Sequence, residues 1–204
     1  GNVTIKWYRD DNYYLANGGW RGTWQWDGGG SLMNQSVHTI DILQWIMGAP
    51  ESVFAKVRVA NHNIESEDIG CALVKFKNGA YGTITGSTAT YPGFGTCIEI
   101  HGTKGGICIK DNKIVSWKIH DDDPEKMAEN ERRMIERTSG GVQIAAASDP
   151  NALNASTTET QIQDMVDAVR ENRQPVIRGA EGRKAVQLIL GVYESSRTGK
   201  EVFF

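Results

Sequence analysis

Between Asp27 and Pro50 the apolar residues Leu32, Met33, Val37, Ile40, Leu43 and Ile46 recur close to the helical period, which predicts a helix. Ser31 is placed to cap its start, Gly48 to end it, and Pro50 to enforce the stop. Three glycines, Gly28 to Gly30, precede it. Lacking a Cβ, they allow another backbone or a ligand to approach the helix start closely. Elsewhere the period is two. Val3 to Tyr8, Ser52 to Ala60, Ile69 to Lys77 and Tyr81 to Thr88 read as strands, followed by shorter ones at Cys97–His101, Ile107–Lys110 and Lys113–Ile119. Asn78-Gly79 and Asp111-Asn112 are tight hairpin turns, and His101 to Gly106 is a third hairpin. Gly82 and Gly86 mark bulge positions. Consecutive hairpins predict a largely antiparallel sheet. One face is apolar through Ala72, Val74 and Phe76; the other mixes Lys75, Tyr81, Thr83 and Thr85. Two amphipathic helices follow. Thr158 to Glu171 carries the stripe Ile162, Met165, Val166, Val169; Glu181 to Arg197 carries Ala185, Leu188, Ile189, Val192 and Tyr193 and stops at Gly199. Both stripes read as core. Helices segregated around an antiparallel sheet make an α+β fold, here a single domain over residues 1–204.

Composition narrows the classes. A chain of 204 residues can bury a real core. Its net charge of −3, with Lys and Arg scattered rather than patched, argues against nucleic acid. No apolar run reaches membrane-spanning length, and no stretch of these residues reads as a signal peptide. Cys71, Cys97 and Cys108 lack metal or redox spacing, so no metal is expected and a reduced, cytoplasmic setting is. The chain begins without Met and runs directly into a strand, so it reads as part of something longer. Asp121 to Ser156 is polar, with a weak helical stretch to Arg137, and reads as a partly mobile surface excursion. Its triplet Asp121-Asp122-Asp123 reads as a solvated turn or helix start, since three consecutive aspartates do not share a face.

The candidate chemistry lies on the first helix. Asn34 and His38 are four apart and Asp41 three further on, so an amide, an imidazole and a carboxylate share one face. The blander reading makes Asn34 the partner of Ser31 in a loose capping box, His38 a hydrogen-bonded boundary residue and Asp41 a solvated charge. Arg9 to Trp26 is rich in aromatic rings: Tyr13, Tyr14, Trp20, Trp24 and Trp26. Sugar sites use such rings, which makes Trp20 and Trp24 candidates for substrate contact. Arg21 is suited to a hydroxyl, carboxylate or phosphate. The same rings would also serve simply to pin a loop on the core.

The stretch W-R-G-T-W-x-W-D-G-G-G-S-L-M-N-Q-S-V-H-T-I-D-I-L-Q-W-I-M-G resembles the opening of the C-terminal, substrate-binding domain of the glucose–fructose oxidoreductase / inositol dehydrogenase (Gfo/Idh/MocA) family. S-E-D-I-G-C-A-L-V-K-F-K-N-G-A, I-E-I-H-G-T-K-G-G-I, T-Q-I-Q-D-M-V-D-A-V-R-E-N and E-G-R-K-A-V-Q-L-I-L-G-V-Y-E-S-S-R-T-G-K follow in family order. Only residues 121–156 are poorly matched. The resemblance implies an open-faced, largely antiparallel sheet with helices on one face, like the C-terminal domain of dihydrodipicolinate reductase. It also implies a homo-oligomer packed through the open face. The implied activity is hydride transfer between NAD or NADP and a CH–OH carbon of a sugar, polyol or nucleotide sugar. The cofactor would be held mainly by a Rossmann domain absent from this chain, which has no strand followed by G-x-G-x-x-G and a helix. His38 matches the family's catalytic histidine. Asn34 falls where many members carry aspartate; an amide cannot take a proton but can orient a hydroxyl. That departure shifts proton handling to His38 and a lysine of the absent domain, with Asp41 orienting His38 or serving structure alone. Two alternatives stand beside it: a family member that hydrolyses glycosides through transient oxidation, and a non-catalytic oligomerisation scaffold.

Overall fold

The computed structural model describes residues 1–121, 123–139 and 155–204. One eight-stranded sheet organises them: β1 (Asn2–Lys6), β2 (Pro50–Arg58), β3 (Ile69–Phe76), β4 (Tyr81–Ser87), β5 (Gly95–Gly102), β6 (Gly105–Lys110), β7 (Lys113–Ile119) and β8 (Val202–Phe203). Their order is β7-β6-β5-β1-β4-β3-β2-β8. Two meanders, β2–β3–β4 and β5–β6–β7, flank β1. That strand pairs parallel with β4, Val3 opposite Ile84, and antiparallel with β5, Val3 opposite Ile98. Every other pairing is antiparallel. The hairpin turns fall where the glycine and asparagine signals put them. Gly79, Asp111 and Asn112 all have positive φ, as tight hairpin turns require.

The helices are α1 (Asp11–Leu15), α2 (Val37–Met47), α3 (Pro124–Ser139), α4 (Ala155–Arg170) and α5 (Gly179–Thr198). Alternation puts Val53, Ala55, Val74, Phe76 and Ile84 on one sheet face, where they meet Ile40 and Leu43 of α2 and Leu188, Ile189 and Val192 of α5. These residues are almost wholly withdrawn from water, and each such aliphatic or aromatic side chain contributes roughly 1.5–3 kcal/mol. Gly48 ends α2, its N–H bonded to Gln44 O. Beyond the short β8, the edge of β2 is capped from α5: Ser195 and Ser196 hydroxyls accept the Ala55 and Val57 N–H groups at 3.0 and 2.9 Å. The covered edge cannot template pairing with another strand.

Two expectations need correction. Gly82 and Gly86 are not bulges, because the β3–β4 register runs unbroken from Ile69↔Ser87 to Lys75↔Tyr81. They are glycine because a Cβ at Gly82 would meet the Phe76 ring at 2.9 Å, and one at Gly86 would meet Ser36 Oγ at 2.5 Å. The α4 stripe is not core: Ile162, Met165, Val166 and Val169 are exposed, and among the side chains described in this helix only Ala168 is buried. Its amphipathic pattern is real, but the core facing the sheet is already filled by α2 and α5. A helix does start directly after Asp123, whose Oδ1 accepts the Glu125 N–H at 3.0 Å, as the helix-start reading expects. The rest of the polar excursion, residues 140–154, lies outside the described residues.

The other sheet face is open. Phe54, Leu73 and Tyr81 project from it, 45%, 49% and 60% exposed, with Phe54 directly opposite Leu73 across the β2–β3 pair. α3 lies along β7 at the far edge, where Thr138 Oγ1 accepts the Ile114 N–H at 3.0 Å.

Candidate functional site

The stretch expected as one helix from Ser31 is two elements. Ser31–Gln35 is a wide π-turn, closed by the Ser36 N–H on Ser31 O at 2.9 Å, and α2 begins at Val37. Ser31 is therefore not an N-cap. It is buried, its own N–H donates to Glu67 O at 2.9 Å, and the capping carboxylate is Glu67. Glu67 Oε2 accepts the Gly30 N–H at 3.0 Å; Oε1 accepts the Leu32 N–H at 2.8 Å and the Tyr193 hydroxyl at 3.0 Å. Burial pushes this carboxyl up, against the pull of those donors. The glycines serve this packing. A Cβ at Gly30 would lie 1.8 Å from Glu67 O, and one at Gly29 would lie 2.3 Å from the Tyr193 hydroxyl. At these two positions it is protein, not a ligand, that comes close. π-turns inside helices occur frequently at functional sites, and this one carries Asn34.

Asn34 Nδ2 donates to Asp27 Oδ1 in a short contact, and Asp27 Oδ2 accepts the Gly22 N–H at 2.7 Å. Burial pushes the Asp27 carboxyl up, offset by these hydrogen bonds and by Arg21. With its NH₂ engaged by Asp27, the Asn34 amide is left to present its oxygen, an acceptor. Beside it, the Arg21 guanidinium stands 4.7 Å from the Tyr13 ring centroid and 4.8 Å from that of Trp20, a cation between two aromatic faces. The Gln35 amide donates to the Tyr13 hydroxyl at 2.9 Å and ties this stack to the π-turn.

His38 sits in the first turn of α2, exposed and without a hydrogen-bond partner among the described residues. The wide turn falls between it and Asn34, so simple four-residue helical phase does not relate the two. Asp41 is exposed and lines a different cleft, of about 610 Å³, with Trp45, Val176, Ile177 and Glu181. No described contact joins it to His38 or Asn34. Trp24 is pinned: its backbone and indole N–H groups donate to Glu65 at 3.0 and 3.1 Å, and its ring meets Tyr193 edge-on at 5.3 Å. The structure thus bonds Asn34 to Asp27, sets Arg21 close enough to act on that carboxylate and against the Trp20 ring, puts His38 on the helix that follows, and sets Trp24 and Asp41 apart.

The base of the aromatic loop is anchored on a second network. His62 Nδ1 faces Asp68 Oδ2 at 2.9 Å and its Nε2 faces Arg9 O at 2.8 Å, while Asp68 also accepts the Ala60, Asn61 and His62 N–H groups. Burial alone would raise the Asp68 carboxyl, but these donors together hold it below its usual range. The sequence alone does not single out Asp27, Glu67, Gln35 or Tyr193. The one available signal is that Asp27 and Glu67 stand inside the motifs W-D-G-G-G and S-E-D-I-G.

Residues 1–108 match the family model described as the GFO/IDH/MocA C-terminal domain. A D-apiose dehydrogenase from Rhizobium rhizogenes is 26% identical over 170 residues, covering 81% of this chain and 46% of its own length. A myo-inositol 2-dehydrogenase from Thermotoga maritima is 36% identical over 84 residues, 39% of this chain and 25% of that protein. Among solved structures, the WlbA dehydrogenase from Bordetella pertussis, in complex with NADH and UDP-GlcNAcA, superposes with a TM-score of 0.79 at 30% identity, over 100% of this chain and 56% of that one. This chain spans about half the length of the relatives it matches. No helix of the described residues is long and apolar enough to cross a membrane.

Proposed function

Because this chain belongs to the GFO/IDH/MocA family, as its C-terminal domain, we propose that it is the substrate-binding part of an NAD(P)-dependent dehydrogenase. Its substrate is a CH–OH group of a sugar, polyol or nucleotide sugar. The cofactor, which takes the hydride, is held mainly outside this chain, whose sequence has no strand, G-x-G-x-x-G and helix in succession. What the chain supplies is positioning and a proton acceptor. As hydride leaves carbon, the hydroxyl proton must go to a base within hydrogen-bond reach. His38 takes it. The Asn34 oxygen accepts a hydrogen bond from the substrate and sets its orientation, with Asp27 holding the amide. Arg21, between Tyr13 and Trp20, meets an anionic or hydroxyl-rich portion of the substrate; Trp24 and Asp41, set apart from this group, are given no substrate contact.

The observation that carries this reading is the Asn34 amide fixed by the half-buried Asp27 carboxylate at a π-turn, with the exposed His38 imidazole in the first turn of the helix that follows. The test is reduction of NAD and NADP by the full-length protein over a panel of polyols, sugars and nucleotide sugars. Absence of turnover with all of them overturns it. The chain alone is expected to show no micromolar binding in calorimetric titration with NAD or NADP; such binding would overturn the placement of the cofactor.

The open face supports self-association. Phe54, Leu73 and Tyr81 form an apolar patch on the β2–β4 half of the sheet, and exposed clusters of this kind mark protein contacts. Light scattering on the chain at high concentration is expected to show a dimer or larger species, and Leu73→Asp to shift it toward monomer. A clean wild-type monomer would count against the patch, since a solvated antiparallel face is also physically stable.

A further inference from the structure

Cys97 and Cys108 stand eleven residues apart in sequence, without the spacing of a known metal motif. The β5–β6 register brings them together. Glu99 lies directly opposite Cys108 and Cys97 opposite Lys110, so the two thiols are diagonal neighbours on the open face. Their sulfurs are 3.9 Å apart, and Cys108 Sγ is 4.0 Å from Glu99 Oε1. One donor atom from each of the three residues lies within 4.8 Å of the others, and all three residues are half-buried.

The geometry points to a zinc site: we propose that Cys97, Cys108 and Glu99 bind one Zn²⁺, leaving a fourth position open. Two bonds of about 2.3 Å at the tetrahedral angle separate two zinc-bound sulfurs by about 3.8 Å, close to the spacing already present. Two thiolates and a carboxylate suit zinc, whereas magnesium and calcium seek oxygen alone. The competing use of such a pair, a disulfide, needs its sulfurs at about 2.05 Å, so these would have to close by almost half their separation. Neither residue belongs to the Asn34–His38 region, so the site is separate from the proposed catalytic one.

The test uses the full chain, reduced with a phosphine, stripped with a chelator and titrated with Zn²⁺ against a chromophoric competitor. Binding of one equivalent is expected. Co²⁺ in its place should give a thiolate-to-metal charge-transfer band. Cys97→Ser and Cys108→Ser should abolish binding, Glu99→Gln should weaken it, and Cys71→Ser should leave it unchanged. Thiol alkylation read by mass spectrometry decides the matter independently of whether the variants fold: Zn²⁺ should protect Cys97 and Cys108 and leave the reactivity of Cys71 unmoved. Zinc binding that survives both Cys variants, zinc-independent alkylation of all three thiols, or a Cys97–Cys108 disulfide that persists under the reductant would overturn the proposal.

Discussion

His38→Gln in the full-length protein lowers kcat by about 10²–10⁴, the usual range for losing a positioned proton acceptor, and leaves the melting temperature almost unchanged. The second half of that expectation comes from the structure. His38 is exposed and donates to nothing described, and substitutions at such positions stay within about 0.5 kcal/mol. Glutamine keeps a polar group of similar reach but cannot carry the proton, so the loss falls on turnover. Asn34→Ala, tested alongside, affects KM as well as kcat, because the amide orients substrate rather than moving a proton. An unchanged kcat for His38→Gln with a lowered melting temperature would make His38 a packing residue and would remove the proposed base.

Glu67→Ala has the largest expected effect on stability, about 3–5 kcal/mol at neutral pH. Two buried N–H groups, those of Gly30 and Leu32, and the part-buried Tyr193 hydroxyl converge on this one carboxylate. Each left without an acceptor costs about 1–3 kcal/mol, with water recovering part of it. The carboxyl is raised above its usual 4.5 by burial. The folded chain therefore keeps a proton there at pH values where the unfolded chain has released it. The wild type consequently loses stability as pH rises from that usual value through the raised one, and Glu67→Ala lacks this component. Urea unfolding across that range measures both effects. A loss under about 1 kcal/mol would mean that the glycine turn is held by packing alone.

Much of the sheet is legible in the residues because alternation and turn chemistry are local. Asn78-Gly79 and Asp111-Asn112 place two hairpins, and Val53, Ala55, Val74 and Phe76 show which face is buried. The insertion of β1 between the meanders is not legible, since nothing near Val3 names Ile84 and Ile98 as neighbours. The α4 stripe shows the converse: a periodic apolar face announces a helix but not what it packs against. At the candidate site, His38 and Asn34 stand out by type and by motif. Their supports do not. Glu67 and Tyr193 reach the glycine turn from a strand entry and from α5, and the π-turn that changes the phase at Asn34 follows from those distant contacts. Cys97 and Cys108 remain an unremarkable pair until strand register sets them side by side.

The central place of β1 also governs the order in which the chain can assemble. The β3–β4, β5–β6 and β6–β7 pairs close through short hairpins, which form on the microsecond scale, while residues 59–68 connect β2 to β3. The two halves join only when Asn2 meets both Thr83 and Glu99, partners far along the chain whose capture carries the full entropy of a long loop. The aromatic loop leaves directly from the end of this strand, with Trp7 N–H on Ser87 O and Arg9 N–H on Thr88 O. The rings and Arg21 therefore reach the π-turn only after the slow joining step. Two folded meanders without β1 would have their secondary structure and no candidate site.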